Sequence, residues 1–515
     1  MYPGAHAAVT PDKPAVVMSD GSETLTYAQL EDRSARLAKL LHDTGLRHGD
    51  TIALLSENSP RYHEVYWAAR RSGLYVTAIN NHLAAPEILY ILRDCGAQAF
   101  IASTRFAQIA ADVVNEAPEV KLRLAFGGSI VGFDSYEDAI ARTPAAPLED
   151  RRVGGDMQYS SGTTGYPKGI RTPLPDRAFD DPMDPLAMVF GPVYGFDTET
   201  VYLSPAPMYH SAPLRFSSVI IALGGTVVVM PRFDPAAALE AIERHRVTHS
   251  QWVPTMFVRM LKLDPKERSD YDLSSHRVAV HAAAPCPVEV KQAMLDWWGP
   301  IIYEYYAATE GIGITMIGPE DWLKKPGSVG KPFGDVRICD ADDPDQPELS
   351  TGAAGLVYFA REELPFAYHN DPDKTRKAQH PHNPGWGTTG DIGYLDDEGY
   401  LYLTDRQAFM IISGGVNIYP QEIENAMTMH PKIADVAVIG IPDPEMGEQV
   451  KAVVELMPGV EPGDDVEQEL IAYLRERIAG FKVPRSIDFA ESLPRTPTGK
   501  LMKRVLKDQY VGTSG

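Results

Sequence analysis

At 515 residues the chain is too long for one core, so at least two domains are expected, each with ample apolar material. Hydrophobic residues make up 44% and charged residues 23%, the balance of a soluble globular protein. A net charge of −22 argues against nucleic acid or an anionic membrane surface as a partner, and any anionic substrate must find local basic groups and a divalent cation.

The chain opens Met-Tyr-Pro-Gly-Ala-His, without the charged-then-apolar profile of a signal peptide. No later run of about eighteen apolar residues could span a bilayer, so the sequence predicts a cytoplasmic protein without a transmembrane segment. Ala15–Met18 reads as a strand, Thr26 as the N-cap of a helix carrying Leu37, Leu40 and Leu41 at helical spacing, and Thr51–Leu55 as a second strand. A helix through Tyr66 and Ala69 follows. Strand–helix alternation of this kind predicts an α/β domain with a largely parallel sheet. Cys95, Cys286 and Cys339 lie far apart without metal-ligand spacing, which suggests neither a disulfide framework nor a zinc site.

The stretch Tyr159–Gly169, Tyr-Ser-Ser-Gly-Thr-Thr-Gly-Tyr-Pro-Lys-Gly, combines three glycines and four Ser/Thr hydroxyls with Lys168. Such a loop exposes backbone N–H groups and side-chain donors able to wrap phosphate oxygens. It is not the usual P-loop, in which Gly-Lys-Ser/Thr opens a helix. Residues 171–200, rich in Pro, Asp and aromatics, are expected to form a surface excursion, with Phe190, Tyr194 and Phe196 covering a substrate entrance as the alternative. Leu203–His210 ends a strand in a loop carrying a histidine. A buried helix and a strand are expected over 219–230, an amphipathic helix over 236–245, and another helix opening at Gln251-Trp252.

Further along come His281-Ala282-Ala283-Ala284-Pro285, the run Tyr303–Gly311, and the connector Gly327–Pro332 leading into short β-like runs at 336–339 and 355–360. Trp386-Gly387-Thr388-Thr389-Gly390-Asp391 offers a carboxylate suited to two vicinal hydroxyls. Asp405–Pro420 is a junction. After it a compact α+β domain is expected, with helices over 421–429 and 466–478 and strands over 436–441 and 450–456. The chain closes with Leu493-Pro494-Arg495-Thr496-Pro497-Thr498-Gly499-Lys500.

Taken together and in this order, these motifs resemble the adenylate-forming enzymes, the superfamily of acyl-CoA synthetases, aryl-CoA ligases, peptide-synthetase adenylation domains and beetle luciferases. The resemblance covers most of the chain. It implies an α/β fold with a large N-terminal multi-subdomain region, built of parallel-rich sheets and a small β-barrel-like subdomain, followed by a small mobile C-terminal α+β domain. The boundaries expected are 1–404 for the ATP- and acyl-binding domain, 405–408 for the hinge and 409–515 for the mobile domain.

The resemblance also assigns roles. Ser160, Ser161, Gly162, Thr163, Thr164, Gly165 and Lys168 bind the ATP phosphates, and Thr164 with Glu310 holds Mg²⁺. Adenine rests on the strand end at Ala283 and Ala284 and stacks on Tyr306, while Thr309 meets the α-phosphate. Asp391 binds the ribose, Arg406 contacts ribose and phosphate, and the Gly414-Gly415 loop comes up to the pantetheine of CoA. His210 stands between acyl pocket and nucleotide, and Trp252, Met256, Phe257 and Ala282 are pocket residues. Lys500 reaches into the active site from the small domain, so that Lys500, His210, Glu310 and Thr164 form the catalytic group. Several positions depart from the family: Ala282 and Ala307 stand where glycine is common, Ala408 where the hinge usually has Asp or Lys, Phe409 where a charge is common, and Val416 where Glu is common.

The activity implied is an ATP-dependent acyl-CoA ligase acting on a hydrophobic carboxylic acid through an acyl-AMP, with ATP, Mg²⁺ and CoA as cofactors. Two alternatives are an acyl-AMP ligase that loads a carrier-protein thiol and a non-catalytic acyl-adenylate sensor. The identity of the acid and the oligomeric state, a homodimer included, are left open by the sequence.

Overall fold

A computed structural model describes residues 2–160, 167–181, 184–340, 343, 348–495 and 501–511. These fall into two compact units, one within Met1–Gln251, Pro265–Ala279 and Pro365–Thr375, the other within Trp252–Asp264, Val280–Leu364 and Arg376–Gly515.

The first unit contains the predicted parallel sheet. Its six strands run in the order Asp134–Ser135, Leu122–Phe126, Ala97–Ser103, Thr51–Leu55, Tyr75–Ile79 and Gly155–Asp156, every pair parallel. Thr51–Leu55 is buried at every position, as a central strand covered on both faces must be. The Tyr27–Asp43 helix starts as its sequence dictates: Thr26 accepts from the Gln29 N–H and Gln29 returns a hydrogen bond to the Thr26 N–H, a complete capping box. In a second group of strands Pro14–Met18, Thr226–Val229, Val201–Ser204 and His249–Trp252 are parallel neighbours in that order. A third, three-stranded sheet is antiparallel: Ala367–Tyr368, Lys168–Arg171 and Gln158–Ser160.

Two sequence expectations need correction here. Residues 171–200 include a helix, Pro185–Tyr194, and the aromatics expected on the surface are buried, with Phe190 6%, Tyr194 3% and Phe196 7% exposed. Phe190 stacks on Phe216 at 4.6 Å, and Phe196 meets His249 edge-on at 5.1 Å. Three large rings gain more from mutual burial than the Pro- and Asp-rich flanks lose by following them inward. The helix expected to open at Gln251-Trp252 begins at Pro254 instead, because Gln251 and Trp252 finish the preceding strand and Pro254 takes the first helical turn, where a missing N–H costs nothing.

The second unit is built around antiparallel strands. Ile302–Ala307, Ile314–Ile317, Ser328–Pro332, Leu401–Arg406, Asp391–Leu395 and Gly355–Ala360 pair successively, and Asp335–Cys339 lies against Gly355–Ala360. The antiparallel subdomain predicted after Gly327 is therefore present. A further sheet joins Val416–Ile418, Ile411–Ser413, Gly447–Leu456 and Ile433–Asp443, with Ser486–Ala490 parallel to Gly447–Leu456. The Pro420–Thr428 and Asp464–Arg475 helices cover it through Ile423, Met427, Leu470 and Leu474, all fully buried. Among the described residues no helix is long and apolar enough to cross a membrane.

Gly330 lies hard against the backbone of a neighbouring strand. Its φ is +99°, and a Cβ would lie 2.0 Å from the carbonyl oxygen of Met316 on the neighbouring strand. Gly330→Ala is expected to cost about 3 kcal/mol, from backbone strain plus forced separation of the strands, read as a lowered denaturation midpoint; an unchanged midpoint would refute the close approach.

Candidate active site

The glycine- and threonine-rich stretch is held at its ends in the first unit. Gln158–Ser160 and Lys168–Arg171 are antiparallel neighbours with Ser160 opposite Lys168. A Cβ at Gly169 would meet the Met157 methyl at 2.6 Å and the Tyr159 ring at 3.0 Å, so a larger residue would make these two side chains shift. Lys168 Nζ donates to Asp371 Oδ2 at 2.9 Å, a bond that raises the lysine pKa and lowers that of the aspartate. Next to this pair, Asp94 accepts from the Tyr159 phenol at 2.6 Å and from Asn370 Nδ2 at 3.1 Å. Asn370 itself has a left-handed backbone, φ +55°, a strained conformation of the kind that clusters at functional sites. Ser161, Gly162, Thr163, Thr164 and Gly165 lie outside the described residues, as does Lys500.

His210 precedes the Ser211–Ala222 helix as its N-cap residue, without a capping hydrogen bond from its side chain. The loop leading to it is fixed by Asn58, whose side-chain amide donates to the carbonyls of Ala206 (3.1 Å) and Met230 (2.8 Å) and accepts from the Met208 N–H (2.8 Å). The Tyr209 and His210 rings lie 4.5 Å apart.

The second unit brings Tyr306, Asp391 and Arg406 together. Asp391 and Arg406 are directly opposite in an antiparallel pair, which places the guanidinium Nε 3.1 Å from Oδ1. Tyr306 donates its phenol O–H to Oδ2 at 2.6 Å, and Thr389 Oγ1 donates to the same oxygen at 2.7 Å. Burial and then the Asp391 charge push the Tyr306 phenol well up. Burial opposes the Arg406 charge, but Asp391, Tyr306 and Glu310 outweigh it and hold the guanidinium charged. Thr309 and Glu310 occupy a turn between the Ile302–Ala307 and Ile314–Ile317 strands, so they are not a helix cap.

Ala283, two residues after the strand ending at His281, has φ +75°, a left-handed conformation that alanine adopts only under constraint. The Ala282 N–H donates to the Trp252 carbonyl at 3.3 Å. Trp252 (1% exposed) and Phe257 (0%) form an aromatic cluster with Trp298 and His281, and Met256 is buried beside them at 4%. Gly414 and Gly415 join strands Ile411–Ser413 and Val416–Ile418 with φ of +57° and +78°, the two positive values a tight type I′ hairpin demands. Ala408 is exposed in the short 3₁₀ turn Gln407–Phe409, and the Lys503 ammonium lies 5.5 Å over the Phe409 ring.

Sequence reasoning missed Asn58, Asp94 and Asp371, which hold the candidate residues without resembling any motif. The one local signal was the Asn370-Asp371-Pro372 turn chemistry.

The family described as AMP-binding enzyme matches residues 4–366, and the AMP-binding enzyme C-terminal domain matches residues 422–500. The chain belongs to the AMP-binding enzyme family. This AMP-binding enzyme is 33% identical over 520 residues to the long-chain-fatty-acid–CoA ligase FadD13 of Mycobacterium tuberculosis, covering 98% of this chain and 97% of that one. It is 34% identical over 513 residues to a feruloyl-CoA synthase of Amycolatopsis sp, covering 99% and 98% of the two chains. Among solved structures it is similar to the anthranilate CoA ligase AuaEII in complex with anthranoyl-AMP, with a TM-score of 0.87 at 26% identity, covering 99% and 97%.

The Lys168–Asp371 pair, 26% exposed on each side, is the kind of ion pair worth at most about 1 kcal/mol. A double-mutant cycle with Lys168→Met and Asp371→Asn is therefore expected to give a coupling in folding stability below that value, with the same enzyme still folded in all three variants. A coupling several times larger would mean the pair holds the whole three-stranded sheet.

Proposed function

We propose that this AMP-binding enzyme joins a hydrophobic carboxylic acid to CoA by way of an acyl-AMP. A carboxylate is a poor electrophile because its charge is delocalised and it offers no leaving group. Attack of its oxygen on the α-phosphorus of ATP expels pyrophosphate and leaves an acyl-AMP. The sulfur of CoA then attacks the acyl carbon, the C–O bond to phosphate breaks, and AMP departs. The observation that carries the reading is the Tyr306–Asp391–Arg406 constellation, in which a carboxylate with a guanidinium and an aromatic ring beside it suits a ribose, a phosphate and a base together.

In the first step two anions must meet. At about 4 Å, unit charges interact with roughly 4 kcal/mol at an effective dielectric of 20. The reading gives Lys500, Arg406 and the backbone donors of the 160–165 stretch the task of offsetting that repulsion, because Lys168 is already partly neutralised by Asp371. Among the described residues no group of three His, Cys, Asp or Glu side chains could hold a metal by itself. This fits magnesium, which is commonly held by one or two carboxylates plus substrate phosphates, with Glu310 and Thr164 as the protein ligands. When bound, the ion would neutralise phosphate charge.

The same reading assigns residues 1–404 to ATP and acid binding, 405–408 to a hinge about Ala408, and 409–515 to a mobile domain that first delivers Lys500 and then the Gly414-Gly415 loop. Such a swing must break the hydrogen bonds from Lys262 Nζ to the carbonyls of Ile433 (2.7 Å) and Ala434 (3.1 Å). Neutral acceptors and a single long side chain make that a modest barrier. The preference for a hydrophobic acid rests on the apolar and aromatic character of the pocket candidates Trp252, Met256, Phe257 and Ala282.

The test is pyrophosphate release and thioester formation across a panel of fatty, aryl, terpenoid and steroid side-chain acids, with CoA compared against a carrier protein. Lys500→Ala is expected to abolish acyl-AMP formation while largely sparing thioester formation from supplied acyl-AMP. Equal loss of both half-reactions would contradict the alternating domain.

A further inference from the structure

Behind the Tyr306 constellation lies a buried charge cluster to which no catalytic step has been assigned. Lys291, on the Val288–Trp298 helix, has no exposed side-chain surface, and its Nζ donates to Glu304 Oε2 at 2.6 Å. Glu304 lies on the Ile302–Ala307 strand with 8% of its side chain exposed. The Lys291 ammonium also sits 4.8 Å over the ring of Trp322, itself buried. From a third element, His281 brings Nε2 to 3.4 Å of the same Glu304 oxygen without hydrogen-bonding geometry, and burial keeps this imidazole neutral.

Dehydrating two charges cancels most of what their attraction returns, and an apolar pair of similar volume usually supports a fold as well. Where such a pair does contribute, its best-attested use is to select one register among alternatives. The strand here has an alternative to exclude. Its sequence is Ile302-Tyr303-Glu304-Tyr305-Tyr306-Ala307, and adjacent residues point to opposite faces. A slip by one residue would bring Tyr305 to the place of Tyr306 at no cost in aromatic surface, but it would set a tyrosine against Lys291 and strand the ammonium without a partner. Glu304 and Tyr306 share a face, so the ion pair fixes the residue whose phenol reaches Asp391. His281, one residue before Ala282 and two before the left-handed Ala283, leads from the same carboxylate to the other half of the candidate adenine site.

We propose that the Lys291–Glu304 ion pair is a register pin that positions Tyr306, and with it the Asp391 carboxylate, for the nucleotide. This rests on the reading of Tyr306, Asp391 and Arg406 as the nucleotide site.

The experiment compares the full-length protein with the apolar double variant Lys291→Met/Glu304→Leu and the polar double variant Lys291→Met/Glu304→Gln. Thermal melting and AMP affinity by calorimetry are measured for each, together with KM for ATP and for CoA. The pin predicts that a double variant melting near the parent binds AMP at least tenfold more weakly and raises KM for ATP by a similar factor, with KM for CoA unchanged. Either double variant, folded and binding AMP as tightly as the parent, would overturn it. A parent protein that binds neither AMP nor ATP would instead defeat the nucleotide-site reading, and the pin with it.

Discussion

The carboxylate of Asp391 is the group on which the second unit's candidate chemistry depends. It must stay stationary while buried, and a buried carboxylate whose oxygens lack donors carries a large desolvation cost. Three donors from separate stretches solve this: Tyr306, Thr389 and, directly across the ladder, Arg406. Two of these donors, Tyr306 and Arg406, start from strands with fixed partners. The geometry of the constellation is thus a property of sheet register, and anything that guards register guards the site.

A chain with a net charge of −22 has few cations to spare, and the structure shows how many of them are already engaged. Lys168 is shared with Asp371, Lys262 is turned to backbone carbonyls, Lys291 is matched to Glu304, Lys503 lies 2.8 Å from Glu424, and Arg495 is bound to Asp435. Arg406 is likewise matched, through Nε to Asp391.

Most elements were legible in the sequence because their signals were local. Thr26 announced a helix start and Thr51–Leu55 a strand. What was not legible depended on distant partners. The burial of Phe190, Tyr194 and Phe196 could not be read from a Pro- and Asp-rich segment, because Phe216 and His249 complete that cluster. Trp252 looked like the start of a helix when it ends a strand, since the tie-breaker is the neighbouring strand and not the Pro-Thr-Met that follows. The motif residues Tyr306, Asp391 and Arg406 were found one by one. That they touch, and that Glu304 anchors the first of them, follows only from the pairing of strands.

The first unit is stitched from three separated lengths of chain, and its last contribution, Pro365–Thr375, is small. That short segment supplies the outer neighbour of the Lys168–Arg171 strand, the acceptor for Lys168 and the Asn370 amide that meets Asp94. During synthesis, the strand that re-enters from the glycine-rich stretch has an unpaired edge until some two hundred further residues have left the ribosome, given a separation of 203 positions between Lys168 and Asp371. A chain truncated after Arg171 and before Ala367 would retain every strand of the parallel sheet yet leave that edge open, a template for sticking to its neighbours.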